Sequence, residues 1–445
     1  MNRVVGVAGQ DFTVEDVRGE FPDEIEIHPL HEPIDAEIQV PGSKSVTNRA
    51  LIAAALADGP STIQNPLISD DSYWLLDSLT KIGIPTNTDQ NTNSIHIRGQ
   101  RGIIPKSDVE LFVGNAGTVA RFLPPVLALG DGPYRVDGVP RMRERPVEDL
   151  VEALWTLGVG IEYEIEAGKF PLVVRGGGIR GGVSRVSGDK SSQFLSGILL
   201  VAPYASEKIE LHVETTRQGL PYVGITVDVM REFGIDVGVS EDYRSFVVEP
   251  GFYTGRDYFV EPDASGASYF MAAAAVTGGR IRIPGLGFGS PQGDLRFAEV
   301  LEAMGCEVEV ALDHVEVRGP EELKGIEVDM NAFSDTMITL AAIAPFASSP
   351  TTIKNIGHTR HQETDRISAV ATELGKLGIQ VEERPDSLHI TPGPISPGKV
   401  ETYGDHRLAM AFAVSGLATP GIRIQNPGVV TKTFPDYFER LKSLG

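Results

Sequence analysis

The chain has a single cysteine in 445 residues, so no internal disulfide can form and a reducing, cytoplasmic setting is expected. Basic residues are in deficit, with 39 lysines and arginines against 61 aspartates and glutamates, for a net charge of -22. That balance argues against a nucleic-acid binder, which needs a broad basic surface to neutralise phosphates. No stretch approaches the run of about 20 apolar residues that spans a bilayer. Residues 1–24 are acidic and lack the basic start and apolar core of a secretory signal. Neither nucleic acid nor membrane is therefore an expected partner. What remains, 41% hydrophobic and 22% charged residues, is the composition of a soluble globular protein, and the length implies two or three domains.

The few cations are gathered in short segments: Lys44 and Arg49, Arg121, Arg141 to Arg145, Arg360 to Arg366, His406-Arg407 and Lys432. The clearest is Pro41-Gly-Ser-Lys-Ser-Val-Thr-Asn-Arg49, which runs into the apolar block Ala50 to Ala57 and reads as loop, then helix. A cation at a helix start opposes the helix dipole, which favours anions there. Beside free backbone N–H groups, it points to a strongly anionic ligand. The spacing is not that of a P-loop, because the six-residue approach to Gly-Lys-Ser/Thr is missing.

The same kind of polar cluster recurs at Gly114-Asn-Ala-Gly-Thr118, Gly188-Asp-Lys-Ser-Ser-Gln193, Pro262-Asp-Ala-Ser-Gly266, Phe333-Ser-Asp-Thr336 and Tyr403-Gly-Asp-His-Arg407. Helical blocks starting near Ala50, Phe122, Phe194, Tyr269, Thr336 and Leu408 give a spacing of roughly 70 residues, an internal repeat. Each copy reads as a buried apolar helix, an amphipathic helix and three to four strands, too little core to stand alone. Pro124-Pro125 is expected to kink the first helix of copy two or delay its start. Copy six lacks closing strands, which the segment before Val40 is expected to supply. Three copies would make a domain. With breaks at Pro41-Gly42 and Glu261-Pro262, the expected organisation is an N-terminal extension over 1–24, an inserted domain over 42–261, and a discontinuous domain of 25–41 plus 262–445, with a hinge at the two crossings.

At Pro41-Gly-Ser-Lys-Ser, Gly114-Asn-Ala-Gly-Thr, Pro140-Arg-Met-Arg-Glu-Arg-Pro146, Ser191-Ser-Gln, Glu363-Thr-Asp-Arg366, Asp405-His-Arg407 and Lys432-Thr-Phe-Pro-Asp-Tyr-Phe438, the sequence resembles the 5-enolpyruvylshikimate-3-phosphate synthase family, over nearly all of 24–445. The resemblance implies a two-domain inside-out α/β barrel, each domain three βαβαββ units with helix N-termini facing the cleft. It implies enolpyruvyl transfer from phosphoenolpyruvate to shikimate 3-phosphate through a tetrahedral ketal, with no cofactor and no metal, by a monomer. Lys44, Asn115, Arg141, Gln193, Arg366, Arg407 and Lys432 would bind phosphoenolpyruvate, with Gly117 leaving room for it. Lys44, Ser45, Arg49, Ser191, Ser192, Gln193, Asp335, His358 and Gln362 would bind shikimate 3-phosphate. Asp335 would accept a proton, and Glu363, with Lys44 nearby, would donate one.

Four positions depart from the family pattern. Gln362 stands for a lysine, His358 for an asparagine, Gly219 for a phosphate-binding serine, and Phe122 for a proline beside the Gly117 turn that bears on the inhibitor glyphosate. Three other readings stand beside the main one. The sister enzyme acting on UDP-N-acetylglucosamine uses a loop cysteine, and the matching loop Arg141 to Arg145 has none, Cys306 reading as a buried apolar residue. A hinged anion-binding protein would have no use for paired carboxylates in a polyanion site. A metal site at His358, His361 and Glu363 would be crowded by Arg360 and Arg366.

Overall fold

The same sheet plan recurs six times, and the sequence repeat is its signature. In a computed structural model that describes residues 4–5, 11–12, 19–187, 191–214 and 220–445, each copy has a central strand with a parallel neighbour on one side and an antiparallel one on the other. The second copy shows it most simply. Tyr134–Asp137 pairs parallel with Val109–Phe112 and antiparallel with Leu172–Val174, which in turn pairs with Ile161–Tyr163. Tyr134 and Val136 are buried while Arg135 between them is half-exposed, the period-two alternation of a strand with one face on the core.

The chain divides into two compact units, one taking in Gly42–Val260 and the other Glu261–Gly445 with residues 19–41. The first contains the helices α1 (Lys44–Leu56), α2 (Asp70–Lys81), α3 (Gly117–Leu127), α4 (Pro140–Glu144), α5 (Glu148–Thr156), α6 (Ser192–Val201) and α7 (Leu220–Glu232). The second contains α8 (Ala264–Thr277), α9 (Phe297–Ala303), α10 (Met337–Ile343), α11 (Arg366–Lys376), α12 (His406–Gly416) and α13 (Tyr437–Lys442). Each unit has its own hydrophobic core. The central helices are buried all round, α1 from Val46 to Leu56 and α8 from Ala264 to Ala275, which is why their sequences carry no polar face. Alanine in these helices keeps propensity high while letting neighbouring helices approach.

Two strands come from far along the chain. Asp257–Phe259 lies parallel to Asp58–Gln64 and completes the first sheet. Asp35–Glu37 lies parallel to Arg280–Pro284 and completes the fourth. The sixth sheet is closed by Glu24–Ile27, antiparallel to Ile422–Gln425. The segment before Val40 therefore serves two copies, not copy six alone. Within 1–18, Val4–Val5 pairs with Asp11–Phe12.

Several helix starts are earlier than their apolar blocks. α1 begins at Lys44 and α3 at Gly117, so the polar motifs form first turns and are not loop. Pro124 and Pro125 lie inside α3 without delaying it. They remove the N–H groups that would bond the Ala120 and Arg121 carbonyls. Gly197 of α6 packs onto the freed Arg121 carbonyl, where a Cβ would stand 2.6 Å from the oxygen. Packing of a wholly buried helix thus overrides the local penalty.

Candidate active site

In the first unit the helix starts are tied together by buried side chains. Asn48 donates from Nδ2 to Thr118 Oγ1 at 2.6 Å, joining α1 to α3. Arg49, 1% exposed, donates to Thr226 Oγ1 at 2.6 Å, Tyr222 O at 3.0 Å, Ser196 Oγ at 3.2 Å and Ser45 O at 2.8 Å. Its guanidinium also lies over the Phe122 ring at 5.2 Å, so the phenyl group that departs from the family pattern packs on a named binding candidate. Burial lowers the Arg49 pKa to about 9. In this placement Arg49 binds α1 to α6 and α7. Lys44 opens α1 and lies 3.8 Å from Asp71 of α2. Ser191 is the N-cap of α6 and accepts from Gln193 N at 3.2 Å. Ser192 and Gln193 form the first turn, all three half-buried. Gly219 lies outside the described residues.

The Gly114 to Gly117 turn is stitched to the arginine-rich loop. Gly114 has φ +56° and carries the Trp74 indole where a Cβ would be, so only glycine fits. Its carbonyl accepts from Val139 N at 3.1 Å. Asp137 then holds Arg143 at 2.8 and 2.6 Å. Arg141 pairs with Glu144 at 2.8 Å on the surface. Arg121 of α3 donates to Pro146 O at 2.8 Å. A Cβ on Gly117 would stand 2.7 Å from Arg145 Nη2 and 3.1 Å from its Cζ. The immediate neighbour of the missing methyl is thus a side chain from residue 145.

In the second unit, Arg366, the first residue of α11, is the centre. It donates from Nε to Asp405 Oδ2 at 2.7 Å, from Nη1 to Asp335 Oδ1 at 3.0 Å and from Nη2 to Glu363 Oε2 at 3.0 Å. It also donates to Gln362 Oε1. Arg407 donates to the other Asp335 oxygen at 2.6 Å and reaches the Tyr269 hydroxyl at 3.4 Å. Lys432 Nζ lies 3.1 Å from Glu363 Oε1. Helices α8, α10, α11 and α12 therefore meet near their N-termini through one ionic cluster of three carboxylates and three cations. Asp335 sits in the six-residue segment Asn331–Thr336 that leads into α10. Asp405 caps α12, accepting from Arg407 N at 2.9 Å. His358 bonds Ser334 Oγ through Nε2 at 2.8 Å, and burial depresses its pKa to about 4. Asp294, beside the cluster and bonded by Ser265 Oγ, has its carboxyl pushed up to about 7 by burial, with Asp335 adding to the rise and Arg407 opposing it.

Within each unit, then, predicted residues cluster: Lys44, Ser45, Arg49, Ser191, Ser192 and Gln193 at the starts of α1 and α6, and Asp335, Gln362, Glu363, Arg366, Arg407 and Lys432 around Arg366. Asp405, Asp294, Tyr269 and Arg145 belong to these clusters and had no assigned role. Asp405 and Arg145 carried a sequence signal, the one in the motif Asp405-His-Arg407 and the other in the basic run from Arg141 to Arg145.

The chain is thus an α/β protein of two units of three sheet-and-helix copies, with carboxylates and arginines paired at helix starts of the second unit. In structure the chain is similar to EPSP synthase from Acinetobacter baumannii, with a TM-score of 0.80 and 26% identity, covering 95% of this chain and 98% of that one. The chain belongs to the EPSP synthase (3-phosphoshikimate 1-carboxyvinyltransferase) family, whose sequence pattern matches residues 30–441. It is 50% identical over 418 residues to the 3-phosphoshikimate 1-carboxyvinyltransferase of Nostoc punctiforme, covering 94% of this chain and 98% of the relative. The Shewanella baltica protein of that name is 43% identical over 415 residues, covering 92% and 97%.

Proposed function

We propose that this chain transfers the enolpyruvyl group of phosphoenolpyruvate to the 5-hydroxyl of shikimate 3-phosphate, releasing phosphate, in the shikimate pathway to chorismate and the aromatic amino acids. The observation that carries this reading is the family pattern, which runs through residues 30–441 and contains both groups of assigned residues. The 5-oxygen adds to C2 of phosphoenolpyruvate as its proton leaves and C3 gains one, giving a methyl ketal that still holds the phosphate. Loss of a methyl proton and of phosphate then restores the double bond.

Asp335 is assigned as the group that accepts the hydroxyl proton, and Glu363, with Lys44, as the group that protonates C3. The assignment is supported by position: Arg366 and Arg407 fix both Asp335 oxygens, while Lys432 and Arg366 fix those of Glu363. Lys44, Asn115, Gly117, Arg141, Gln193, Arg366, Arg407 and Lys432 are assigned to phosphoenolpyruvate. Lys44, Ser45, Arg49, Ser191, Ser192, Gln193, Asp335, His358 and Gln362 are assigned to shikimate 3-phosphate. Arginine suits these oxyanions because its planar fork donates in pairs. The UDP-sugar alternative is not favoured: Cys306 is buried and its thiol is pushed up to about 12 by burial, unsuited to chemistry at neutral pH. We take the two units as the family's two domains and the working form as a cytoplasmic monomer, since one chain supplies every assigned residue.

Running the reaction in deuterium oxide tests the ketal. Deuterium in the vinylidene group of the product is expected, because C3 passes through a methyl group. Product with no deuterium would contradict the mechanism.

A further inference from the structure

We infer that Glu373 is a positioning residue for enolpyruvyl transfer, holding the turn 401–404 so that Asp405, which follows it, meets Arg366. The inference rests on the enolpyruvyl-transfer reading and adds a residue to it. Helix α11 carries Arg366 at its start and Glu373 seven residues on, so the two lie on one face, about 10 Å apart along the axis. Glu373 is 0% exposed and shares the buried side of the helix with Ile367, Val370 and Leu374. A carboxylate withdrawn from water into an apolar stripe is costly unless its oxygens are bonded. Lys376 donates to Oε1 at 2.7 Å, but that lysine is half-exposed, and an ion pair with a surface lysine needs no buried partner. The burial of Glu373 is explained by what else it holds.

The turn joins the strand Gly398–Val400 to α12, and Glu373 grips it at two points. Oε1 accepts from the Tyr403 hydroxyl at 2.6 Å, and Oε2 accepts from Glu401 N at 3.1 Å. Lys376 Nζ lies over the Tyr403 ring at 5.9 Å. Glu401 Oε1 in turn accepts from Thr402 N at 3.1 Å and Tyr403 N at 3.2 Å. These bonds hold a backbone that the chain avoids by itself: Tyr403 has φ +51° and Gly404 φ +70°. Left-handed backbone at a bulky residue persists only where its surroundings over-determine it. Directly after this turn comes Asp405, whose N–H bonds Thr402 O at 2.8 Å and whose Oδ2 accepts from Arg366 Nε at 2.7 Å. Helix α11 therefore holds the segment at both ends, through Glu373 at its entry and Arg366 at its exit. Glu373 fixes the direction from which Asp405 arrives. Through Asp405 and Arg366 it sets the places of Asp335 and Glu363, which Arg366 also bonds.

The test is steady-state kinetics on the full chain with Glu373→Gln, Tyr403→Phe and Asp405→Asn, and with each of the first two combined with the third, at a temperature where circular dichroism shows the variants folded. Glu373→Gln is expected to lower kcat by about 10- to 100-fold, the scale of a small misplacement of catalytic groups. Tyr403→Phe should lower it by about three- to tenfold, the loss of one hydrogen bond. With Asp405→Asn already in place, either substitution should lower kcat by less than about twofold further, because the residue it acts through has been removed. An unchanged kcat in folded Glu373→Gln, with only the melting temperature lowered, overturns the inference and marks a purely structural residue. So does a loss that multiplies in full with that of Asp405→Asn. If Glu373→Gln does not fold, Tyr403→Phe decides by the same two criteria. Failure of the wild type to turn over these substrates would instead overturn the function reading on which the inference rests.

Discussion

Arg366 Nε and Asp405 Oδ2 are 2.7 Å apart, with Arg366 1% exposed and Asp405 fully buried. The pair sets α11 against α12 and leaves the other Arg366 nitrogens for Asp335 and Glu363. A buried ion pair is worth little net against an apolar pair, but breaking one side strands a charge.

Because Asp335 and Glu363 still face Arg366, Asp405→Asn should cost about 1–3 kcal/mol of stability, the range for a buried hydrogen bond to a charged group, and should lower turnover as Arg366 shifts. Denaturant unfolding of the variant against the wild type checks it. A loss under about 1 kcal/mol, the size of the helix cap alone, would mean that the pair does not organise the cluster.

Asp335→Asn should lower kcat by at least about 100-fold, the usual scale for removing an acid–base group. Binding of shikimate 3-phosphate, followed by calorimetry, should persist because the amide keeps the carboxamide oxygen for one guanidinium. Near-normal turnover would remove Asp335 from proton transfer.

Two buried groups should give opposite pH slopes. His358 has a pKa of about 4 in the folded chain and an ordinary value of 6.5. Between these, the unfolded chain holds the extra proton, so the His358 contribution to stability rises with pH from about 4 to 6.5. Asp294 sits at about 7 against an ordinary 3.8. There the folded chain holds the extra proton, so its contribution falls as pH rises across about 4 to 7. Unfolding midpoints of His358→Asn and Asp294→Asn from pH 4.5 to 7.5 should flatten these slopes in opposite senses. Parallel curves for either variant and the wild type would contradict the assignment to that residue.

Much of the fold was legible because it is local and repeated. The pattern from Asp70 to Lys81 reads as an amphipathic helix and is one, and Tyr134 to Asp137 alternates as a strand should. The apolar blocks of α1, α3 and α8 were placed five or six residues after the helix starts, while those of α6, α10 and α12 were within two; in α1 the polar Asn48 and Arg49 resemble loop, whereas their partners are buried groups on other helices. The union of Asp35–Glu37 with Arg280–Pro284 spans a whole inserted unit and leaves no periodic trace.

The site was legible in its residue types and less so in its pairings. The cations of Arg366, Arg407 and Lys432 read as waiting for an anionic ligand, yet in the second unit they are met by Asp335, Glu363 and Asp405. In the proposed reaction, substrate oxyanions would compete with these carboxylates. Gly117 read as room for a ligand, and the side chain nearest its missing Cβ is that of Arg145, a neighbour that no spacing in the sequence announces.

Inorganic phosphate release from phosphoenolpyruvate, followed with and without shikimate 3-phosphate, tests the central claim most directly. Release that requires shikimate 3-phosphate, in one-to-one proportion with an enolpyruvyl ether of it, is the predicted result. Release that proceeds without shikimate 3-phosphate, or that requires UDP-N-acetylglucosamine instead, would contradict it.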